Sequence, residues 1–335
     1  TLDSRMQRYA EEAVTAHMEN LQREFDRQNE RNTTAPFRDI TTEEEEVIIN
    51  RAMRNSDRWR KMAAQDIAVE DIKASFDKET DMRVFVWKDG AKEVDTVMTP
   101  RDSILYYKRF LRAGLLSLTP QTGEVKAWVG GINYKHFQYD HVKTGRRQVG
   151  STFKPFLYAT AIDQLHLSPC DTVPDIPYCI PAGDMGAQED WCPENSSEGF
   201  KGMITLKSAL ANSINTVSAR LMHRVGPQPV INLIDKLGVD TENIPAVPSI
   251  ALGTPDLSLF EMVSAYSAFA NKGVHVEPQI VSTIVDKNGT VLYQSVPKAK
   301  DIISQESAYV TVNLMEGVTQ YGSGARLRSG AINNY

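Results

Sequence analysis

Residues 150–157 read Gly-Ser-Thr-Phe-Lys-Pro-Phe-Leu, and this octapeptide is the most informative part of the sequence. It places Ser151 and Lys154 three residues apart. A serine hydroxyl is a weak nucleophile until a base removes its proton, and a desolvated lysine one helical turn away can act as that base. The pattern therefore indicates a candidate nucleophile and its base. A helix-capping serine followed by a lysine whose ammonium group reaches solvent would show the same sequence pattern.

Two other segments, Ser75–Lys78 and Ser295–Lys298, have the same spacing, so the surrounding residues must distinguish the three. The first runs into a charged stretch that would keep a lysine solvated and protonated, and the second contains a proline in a polar segment. After Ser151, Pro155 is compatible with a helix only in its first turn, which predicts a helix that begins within a residue or two of Ser151. The apolar residues that follow would bury this helix, with Ser151 and Lys154 on one face.

A second candidate group lies at Ser213-Ile214-Asn215, which is the only Ser-x-Asn in the chain and comes 62 residues after Ser151. It falls where one predicted helix ends and another begins, so both polar side chains could point into one cleft. A second serine can relay a proton to a leaving group, and a carboxamide can hold both a lysine and a substrate amide. Taken alone, the segment is also typical of a helix N-cap.

The composition argues against some functional classes. With 335 residues, of which 41% are hydrophobic, the chain can bury one large core and a smaller module. The net charge of −6 and the lack of a long basic stripe argue against a nucleic-acid-binding protein. No apolar run reaches the ~18 residues of a membrane span, and no signal peptide is evident. Because the chain opens on Thr1 and stops at Tyr335 without an obvious terminus, we expect it to be part of a longer protein.

The cysteines and histidines do not predict a metal site. Cys170, Cys179 and Cys192 lack the Cys-x-x-Cys spacing of zinc or redox pairs. They share one proline-rich loop, in which Cys179 and Cys192 could form a disulfide in an oxidising compartment. The histidines are scattered, and the two nearest to each other, His136 and His141, have the wrong spacing for one helical face.

The chain changes character near residue 98. Residues 1–98 are charge-dense and mostly helical in pattern, with helix starts at Asp3 and at Thr41-Thr42 and a hairpin that turns at Asp89-Gly90. From residue 99 onward the pattern is that of a globular domain. Its predicted elements are a helix at 102–112, a hairpin at 115–129, the helix after Ser151, an irregular segment at 168–203, helices at 205–211 and 214–225, a hairpin at 279–294 and a helix at 305–318.

Longer segments resemble the transpeptidase domain of class A, bifunctional penicillin-binding proteins. Residues 146–156, Arg-Arg-Gln-Val-Gly-Ser-Thr-Phe-Lys-Pro-Phe, are similar to the signature around that family's active serine, with Val149 where proline is usual. The other similar segments are the hairpin at 123–131, the loop Trp191-Cys192-Pro193-Glu194-Asn195, the second motif at 209–215, and Ala251-Leu252-Gly253 with the helix at 256–270. The resemblance implies an α+β transpeptidase fold, related to that of serine β-lactamases, with an antiparallel sheet flanked by helices.

The resemblance implies a D,D-transpeptidase of peptidoglycan synthesis that needs no metal or cofactor. Ser151 would attack the D-Ala-D-Ala amide of a stem peptide and form an acyl-enzyme, with Lys154 as the base that takes its proton. Ser213 would pass a proton to the departing D-alanine, and Asn215 would position Lys154 and the substrate amide. The backbone amide of Ser151 would supply half of the oxyanion hole, and β-lactams would stop the reaction at the acyl stage.

The sequence departs from the family pattern in its third motif, Lys-Thr/Ser-Gly. Lys143-Thr144-Gly145 has the right letters but precedes Ser151, so we interpret it as a coincidence. The family would place the motif beyond Tyr335, together with the C-terminal strands that we expect to be missing. We expect residues 1–98 to be a linker module following an absent glycosyltransferase domain, and residues 99–335 to be a C-terminally incomplete transpeptidase domain. Catalysis is then expected of the parent protein.

The remaining expectations concern partners, location and competing activities. The resemblance implies that peptidoglycan stem peptides and β-lactams bind, that cell-wall synthesis proteins are possible partners, and that a membrane anchor precedes residue 1. The location would be the extracytoplasmic, periplasmic face of the bacterial inner membrane. A D,D-carboxypeptidase and a non-catalytic penicillin sensor remain alternatives. A β-lactamase would use the same dyad, but we find no obvious glutamate after Ser213 to activate water.

Overall fold

The computed structural model of the chain describes residues 1–32 and 34–328. These residues divide into two compact units. The first unit contains Arg8–Gly114 and Val129–Tyr139, and the second contains Thr1–Gln7, Leu115–Trp128 and the described residues from Asp140 on. Helices take up 44% and strands 17%, so both kinds of element build the fold and the predicted α+β class is confirmed.

The first unit holds most of the charge-dense N-terminal region. Its elements are α1 (Ser4–Gln28), α2 (Thr42–Arg54), α3 (Asp57–Ala63), α4 (Val69–Ser75), β1 (Thr80–Trp87), β2 (Ala91–Met98) and α5 (Pro100–Lys108). Both predicted helix starts are confirmed, because Asp3 accepts hydrogen bonds at the first turn of α1 and Thr41 forms a capping box with Glu44 at α2. The predicted hairpin is the antiparallel pair β1–β2. α5 begins earlier than predicted because Thr99 caps it and Pro100 occupies its first turn.

Two small clusters hold this unit together. α2 and α4 bury Ile49, Ile72 and Phe76 against each other, each at most 1% exposed. Around β1, the ring of Phe85 meets those of Phe110 and Phe137 edge to face, with ring centroids 5.2 Å apart in both pairs.

The second unit contains the segments that carry the candidate site. Its elements are β3 (Leu115–Leu118), β4 (Val125–Val129), β5 (Arg146–Gln148), α6 (Lys154–Leu165), β6 (Thr172–Asp175), β7 (Gly202–Thr205), α7 (Leu206–Ala211), α8 (Asn215–Val225), α9 (Pro227–Lys236), β8 (Asp256–Ser258), α10 (Leu259–Ala270), β9 (Val274–Val276), β10 (Thr283–Val285), β11 (Val291–Gln294), β12 (Ala299–Asp301) and α11 (Gln305–Gln320). Short 3-10 turns lie at Gly150–Phe153, Asp184–Gly186, Pro248–Leu252 and Ala325–Arg328.

Strands pair two by two in the part of the chain that the structure describes. The pairs in this unit are β3–β4, β5–β8, β6–β7, β9–β12 and β10–β11. The pair β6–β7 corrects the prediction that residues 168–203 form no regular structure, since β6 lies inside that segment. Pro174 is tolerated there because a strand with one neighbour leaves one edge free of ladder hydrogen bonds.

The core of this unit surrounds α6. This helix packs against α8, α9 and α11, and its residues from Lys154 to Ile162 are all buried. The aromatic rings of Phe153 and Phe156 are fully buried at its start. The predicted burial of the helix after Ser151 is therefore confirmed. None of the helices in the described ranges combines the length and hydropathy that a membrane crossing would require.

Candidate active site

Ser151 lies in a 3-10 turn that leads into α6. The turn covers Gly150–Phe153 and leaves Ser151 exposed, and the α-helix itself begins at Lys154, later than predicted. The cause is Pro155, which has no N–H to donate to the Ser151 carbonyl four residues earlier. The Lys154 N–H donates to that carbonyl instead, which closes the shorter i, i+3 turn.

A neighbouring backbone segment holds this turn in place. β5 pairs antiparallel with β8, and the N–H of Val149 donates to the Pro255 carbonyl over 3.1 Å. The N–H of Gly150 then donates to the Gly253 carbonyl over 2.9 Å. Gly253 has φ +74°, and a Cβ atom there would lie 1.9 Å from the Gly150 carbonyl oxygen. Glycine is needed at this position because two backbone segments meet closely beside Ser151.

Lys154 is fully buried, and its amine is directed at the second candidate group. Its Nζ donates to the Ser213 carbonyl at 2.7 Å, to Ser213 Oγ at 3.0 Å and to Asn215 Oδ1 at 2.7 Å. Burial lowers the pKa of Lys154 to about 7. The amine therefore changes charge near neutral pH, whereas an exposed lysine would stay protonated.

The structure brings Lys154, Ser213 and Asn215 together but does not join Ser151 to them directly. Among the hydrogen bonds of the described residues, none links Ser151 Oγ to Lys154 Nζ. The three N–H groups that a protonated amine carries are already matched by the three acceptors of the Ser213 and Asn215 groups. Transfer of a proton from Ser151 would thus require that Lys154 first lose one of its own.

Ser213 lies in the short connection between α7 and α8. It has φ +55°, a left-handed conformation that a residue with a side chain adopts at some cost. Ile214 is the N-cap residue of α8 and provides no side-chain cap. The alternative reading of Ser213 as a helix N-cap is therefore wrong, and its hydroxyl contacts Lys154 instead.

The irregular loop at residues 176–201 supplies the missing cap. Asn195 Oδ1 accepts hydrogen bonds from the backbone N–H of Asn215 at 3.0 Å and of Thr216 at 3.3 Å. The Glu194 carbonyl accepts from Asn215 Nδ2 at 2.7 Å. Sequence reasoning matched this loop to a family motif but assigned no role to either residue, because nothing in the local pattern says which helix end the loop will reach.

The same loop contains the one disulfide among the described residues. Cys179 and Cys192 are bonded, as the loop composition allowed, and Cys170 is free and exposed. Ile180 and Trp191 exchange two backbone hydrogen bonds inside this link. The loop is therefore closed on itself just before Glu194 and Asn195.

Two other sequence features have no part in this site. Lys143-Thr144-Gly145 forms a turn rather than a strand. Among residues 1–32 and 34–328, no group of three His, Cys, Asp or Glu side chains could hold a metal ion.

Comparison with known proteins identifies the family of the chain. The family model of the penicillin-binding protein transpeptidase domain matches residues 114–335, and that of the penicillin-binding protein middle domain matches residues 32–111. Since the first match covers more than half of the sequence, the chain belongs to the family of penicillin-binding proteins with a transpeptidase domain. The family resemblance read from the sequence is confirmed.

Similar proteins are known from several bacteria. Penicillin-binding protein 1A of Aquifex aeolicus is 35% identical over 218 residues, 64% of this chain, and that of Pseudomonas aeruginosa is 34% identical over 197 residues, 59% of this chain. The matched parts are only 29% and 24% of those two proteins. The crystal structure of penicillin-binding protein 1A from Haemophilus influenzae shares the fold with a TM-score of 0.61 and 25% identity, covering 65% of this chain and 37% of that one.

Proposed function

We propose that the protein is a serine D,D-transpeptidase that cross-links peptidoglycan stem peptides through an acyl-enzyme on Ser151. The observation that carries the proposal is the buried Lys154, held by Ser213 and Asn215 one helical turn from Ser151. A desolvated amine with a pKa of about 7 is a suitable general base near neutral pH. The membership in the penicillin-binding family supports the substrate class.

In the proposed reaction, neutral Lys154 takes the proton of the Ser151 hydroxyl as Oγ attacks the carbonyl carbon of the D-Ala-D-Ala amide. The tetrahedral intermediate collapses as the C–N bond breaks, and the departing D-alanine amine takes a proton through Ser213 from Lys154. The amine of a neighbouring strand then attacks the ester carbonyl and gives a proton to Lys154, which passes it to Ser151 Oγ as the C–O bond of the ester breaks. Ser213 contacts Lys154 Nζ through its hydroxyl, which supports its role as the relay.

Asn215 is proposed to align Lys154 and the substrate amide at once. Its Oδ1 accepts from Lys154, and its Nδ2 carries a second hydrogen beyond the one donated to Glu194. The backbone N–H of Ser151, at the start of a helical turn, is proposed as one oxyanion donor. The family's third motif would supply the other, and no Lys-Thr-Gly or Lys-Ser-Gly follows Ser213 in these 335 residues.

The location and domain division are also proposals. The Cys179–Cys192 disulfide supports an oxidising, extracytoplasmic compartment such as the periplasm, where cell-wall precursors and β-lactams would be met. A membrane anchor and a glycosyltransferase domain outside this sequence, and partners in cell-wall synthesis, follow from the family resemblance alone. The boundary near residue 98 stays a prediction; the two matched family models meet between residues 111 and 114.

The central claim is tested by labelling the intact protein with a fluorescent penicillin. We expect a covalent adduct that mass spectrometry locates on Ser151 and that Ser151→Ala abolishes. Ser75→Ala, which changes the first residue of another Ser-x-x-Lys segment, is the matched control and should label normally. An adduct that persists in Ser151→Ala would show that the nucleophile is another residue.

A second assay separates transfer from hydrolysis. A D-Ala-D-Ala donor peptide is incubated with and without a D-amino-acid acceptor, and the products are identified by mass. A transpeptidase forms the exchanged peptide, a D,D-carboxypeptidase forms only the shortened one, and a penicillin sensor labels on Ser151 but turns over neither.

A further inference from the structure

A buried carboxylate lies behind the candidate site. Asp175, the last residue of β6, has no exposed surface and accepts three hydrogen bonds. Its Oδ1 accepts from Thr216 Oγ1 at 2.6 Å and from Asn195 Nδ2 at 2.8 Å, and its Oδ2 accepts from the Lys201 backbone N–H at 2.8 Å. Burial alone would raise the pKa of Asp175, but these hydrogen bonds lower it below its usual value, so the group is a carboxylate at neutral pH.

Asn195 connects this carboxylate to α8. Its Nδ2 donates to Asp175, which leaves Oδ1 facing the first two backbone N–H groups of α8, at Asn215 and Thr216. These N–H groups have no partner within their own helix. A carboxylate can only accept hydrogen bonds, so Asp175 determines which way round the Asn195 amide must lie.

The orientation of the Asn215 side-chain amide is determined in the same way. The Glu194 carbonyl can only accept, so Asn215 Nδ2 must face it and Asn215 Oδ1 must face Lys154. If the amide were reversed, an NH₂ group would meet the Lys154 amine and an oxygen would meet a carbonyl. Both contacts would be repulsive.

We propose that Asp175 and Asn195 are positioning residues for Lys154: they fix the start of α8 and the Glu194–Asn195 segment, so that Asn215 presents its oxygen to the lysine amine. Neither touches the reacting atoms. The proposal rests on the proposed function, in which Lys154 is the base for Ser151. According to this proposal, Asp175 affects catalysis although it lies 21 residues after Lys154 in the sequence and in another element.

The proposal predicts a specific change in the pH profile. Asn215 Oδ1 accepts a hydrogen bond from the Lys154 ammonium group and so stabilises the charged form. Burial lowers the pKa of Lys154, and the groups that its amine contacts, on Ser213 and Asn215, are uncharged. If Asn215 is released, the ammonium loses an acceptor, and the midpoint of the acidic limb of acylation should move to lower pH while the maximal rate falls.

The test measures the rate of acylation by a fluorescent penicillin across the titration range of Lys154, in the intact protein. Asp175→Asn and Asn195→Asp each disturb the pairing. The first must set an NH₂ group against a donor, at Asn195 or at the Lys201 N–H, and the second sets two carboxylates together. For each variant we expect a rate about 10- to 100-fold lower. Because Asn195→Asp also brings a negative charge toward Lys154, the midpoint is compared in the charge-neutral variant Asn195→Ser, where we expect it to be lower by about half a pH unit or more. Asn232→Ala, an exposed amide on α9, is the control and should change neither.

The double variant Asp175→Asn/Asn195→Asp restores the pairing with its polarity reversed. Asn at 175 can donate to Asp at 195 and accept from the Lys201 N–H, while the carboxylate at 195 accepts from the amides of α8. The Thr216 hydroxyl can accept as readily as it donates. We expect the double variant to recover most of the rate and the wild-type midpoint, a positive coupling that independent defects would not give.

The outcomes separate this proposal from the proposed function. If wild-type protein forms no adduct on Ser151, the proposed function fails. If it does, and Asn195→Ser folds but keeps the wild-type midpoint, the positioning role is wrong even where its melting temperature falls. Asn195→Ser serves for this comparison because its short hydroxyl cannot reach both Asp175 and α8. Should it fail to fold, single variants Asp175→Asn and Asn195→Asp that keep the wild-type rate overturn the proposal equally.

Discussion

Ser151–Lys154 and Ser75–Lys78 have the same spacing and opposite surroundings. Ser151 precedes α6, where its hydroxyl is exposed and Lys154 is buried. Ser75 is the last residue of α4, and its hydroxyl donates to the Ile72 carbonyl at 2.7 Å. Lys78 then falls beyond the helix end and is exposed. In the first pair an exposed hydroxyl precedes a buried amine by three residues, whereas in the second pair the hydroxyl donates to a carbonyl at a helix end.

The difference shows that position relative to the helix decides which groups the serine of this pattern meets. A serine before a helix faces N–H groups and the positive end of the dipole, which favours a developing anion. A serine at the end of a helix faces unpaired carbonyls and caps one of them. The third pair, Ser295–Lys298, fails differently, since Lys298 is exposed and pairs with Glu277 over 3.2 Å.

The largest expected difference between the two pairs is in acylation. Lys154→Met keeps most of the side-chain volume but removes the proposed base, and we expect the rate of penicillin acylation to fall by about 10²- to 10⁴-fold. Lys78→Met should leave the rate unchanged. Circular dichroism and thermal unfolding establish that both variants fold. A Lys154→Met protein that acylates at the wild-type rate would remove Lys154 as the base.

The next difference is in pH dependence. Only the neutral amine can accept a proton, and the neutral fraction of Lys154 rises as pH increases through its pKa of about 7. We therefore expect the acylation rate to rise with pH and to reach half of its maximum at a midpoint near 7. Well below that midpoint, the rate should fall about tenfold for each pH unit. A lysine with an ordinary pKa near 10.5 would put that midpoint more than three units higher. An acylation rate that does not change through neutral pH would contradict the prediction that the protonation of Lys154 controls acylation.

Local sequence patterns predicted the elements well. Capping residues at Asp3 and Thr41 and the turn at Asp89-Gly90 each act within a few residues, so their effect can be read directly from the letters. The burial of the helix that starts at Lys154 was also predictable, because apolar residues cover most of its circumference. The burial of the lysine amine was not, since its hydrogen-bond acceptors belong to Ser213 and Asn215, about 60 residues later in the sequence. The start of that helix was misplaced, since the consequence of Pro155 for the Ser151 carbonyl depends on which turn forms.

The support of the site was not predictable from the sequence. Asp175 and Asn195 lie 20 residues apart, and each needs the other and α8 for its hydrogen bonds. Asparagine and aspartate in a proline-rich loop are normally read as turn residues. The left-handed conformation of Ser213 likewise results from the α7–α8 connection and not from its own preference. Hydrogen bonds between residues that are far apart in the sequence leave no pattern in the local sequence.

The smallest expected difference concerns what holds the Ser151 turn. Gly253→Ala and Gly289→Ala both place a side chain at positive φ, at +74° and +86°, and each should lose about 1–2 kcal/mol for that reason. Gly289 has open space around its added Cβ, but at Gly253 the Cβ would lie 1.9 Å from the Gly150 carbonyl oxygen. Gly253→Ala should therefore lose about 1–3 kcal/mol more in urea unfolding and acylate several-fold more slowly.

Gly289→Ala isolates the cost of the backbone conformation, so the difference between the two variants measures the close approach beside Ser151 alone. Equal unfolding free energies and equal acylation rates would mean that the turn relaxes without moving the nucleophile. The packing of Gly253 against Gly150 would then be incidental, and the contrast with Ser75–Lys78 would depend on Lys154 and the end of the helix only. A slower acylation by Gly253→Ala at matched folding would show that the proposed nucleophile, Ser151, is held in place by a segment about 100 residues away in sequence.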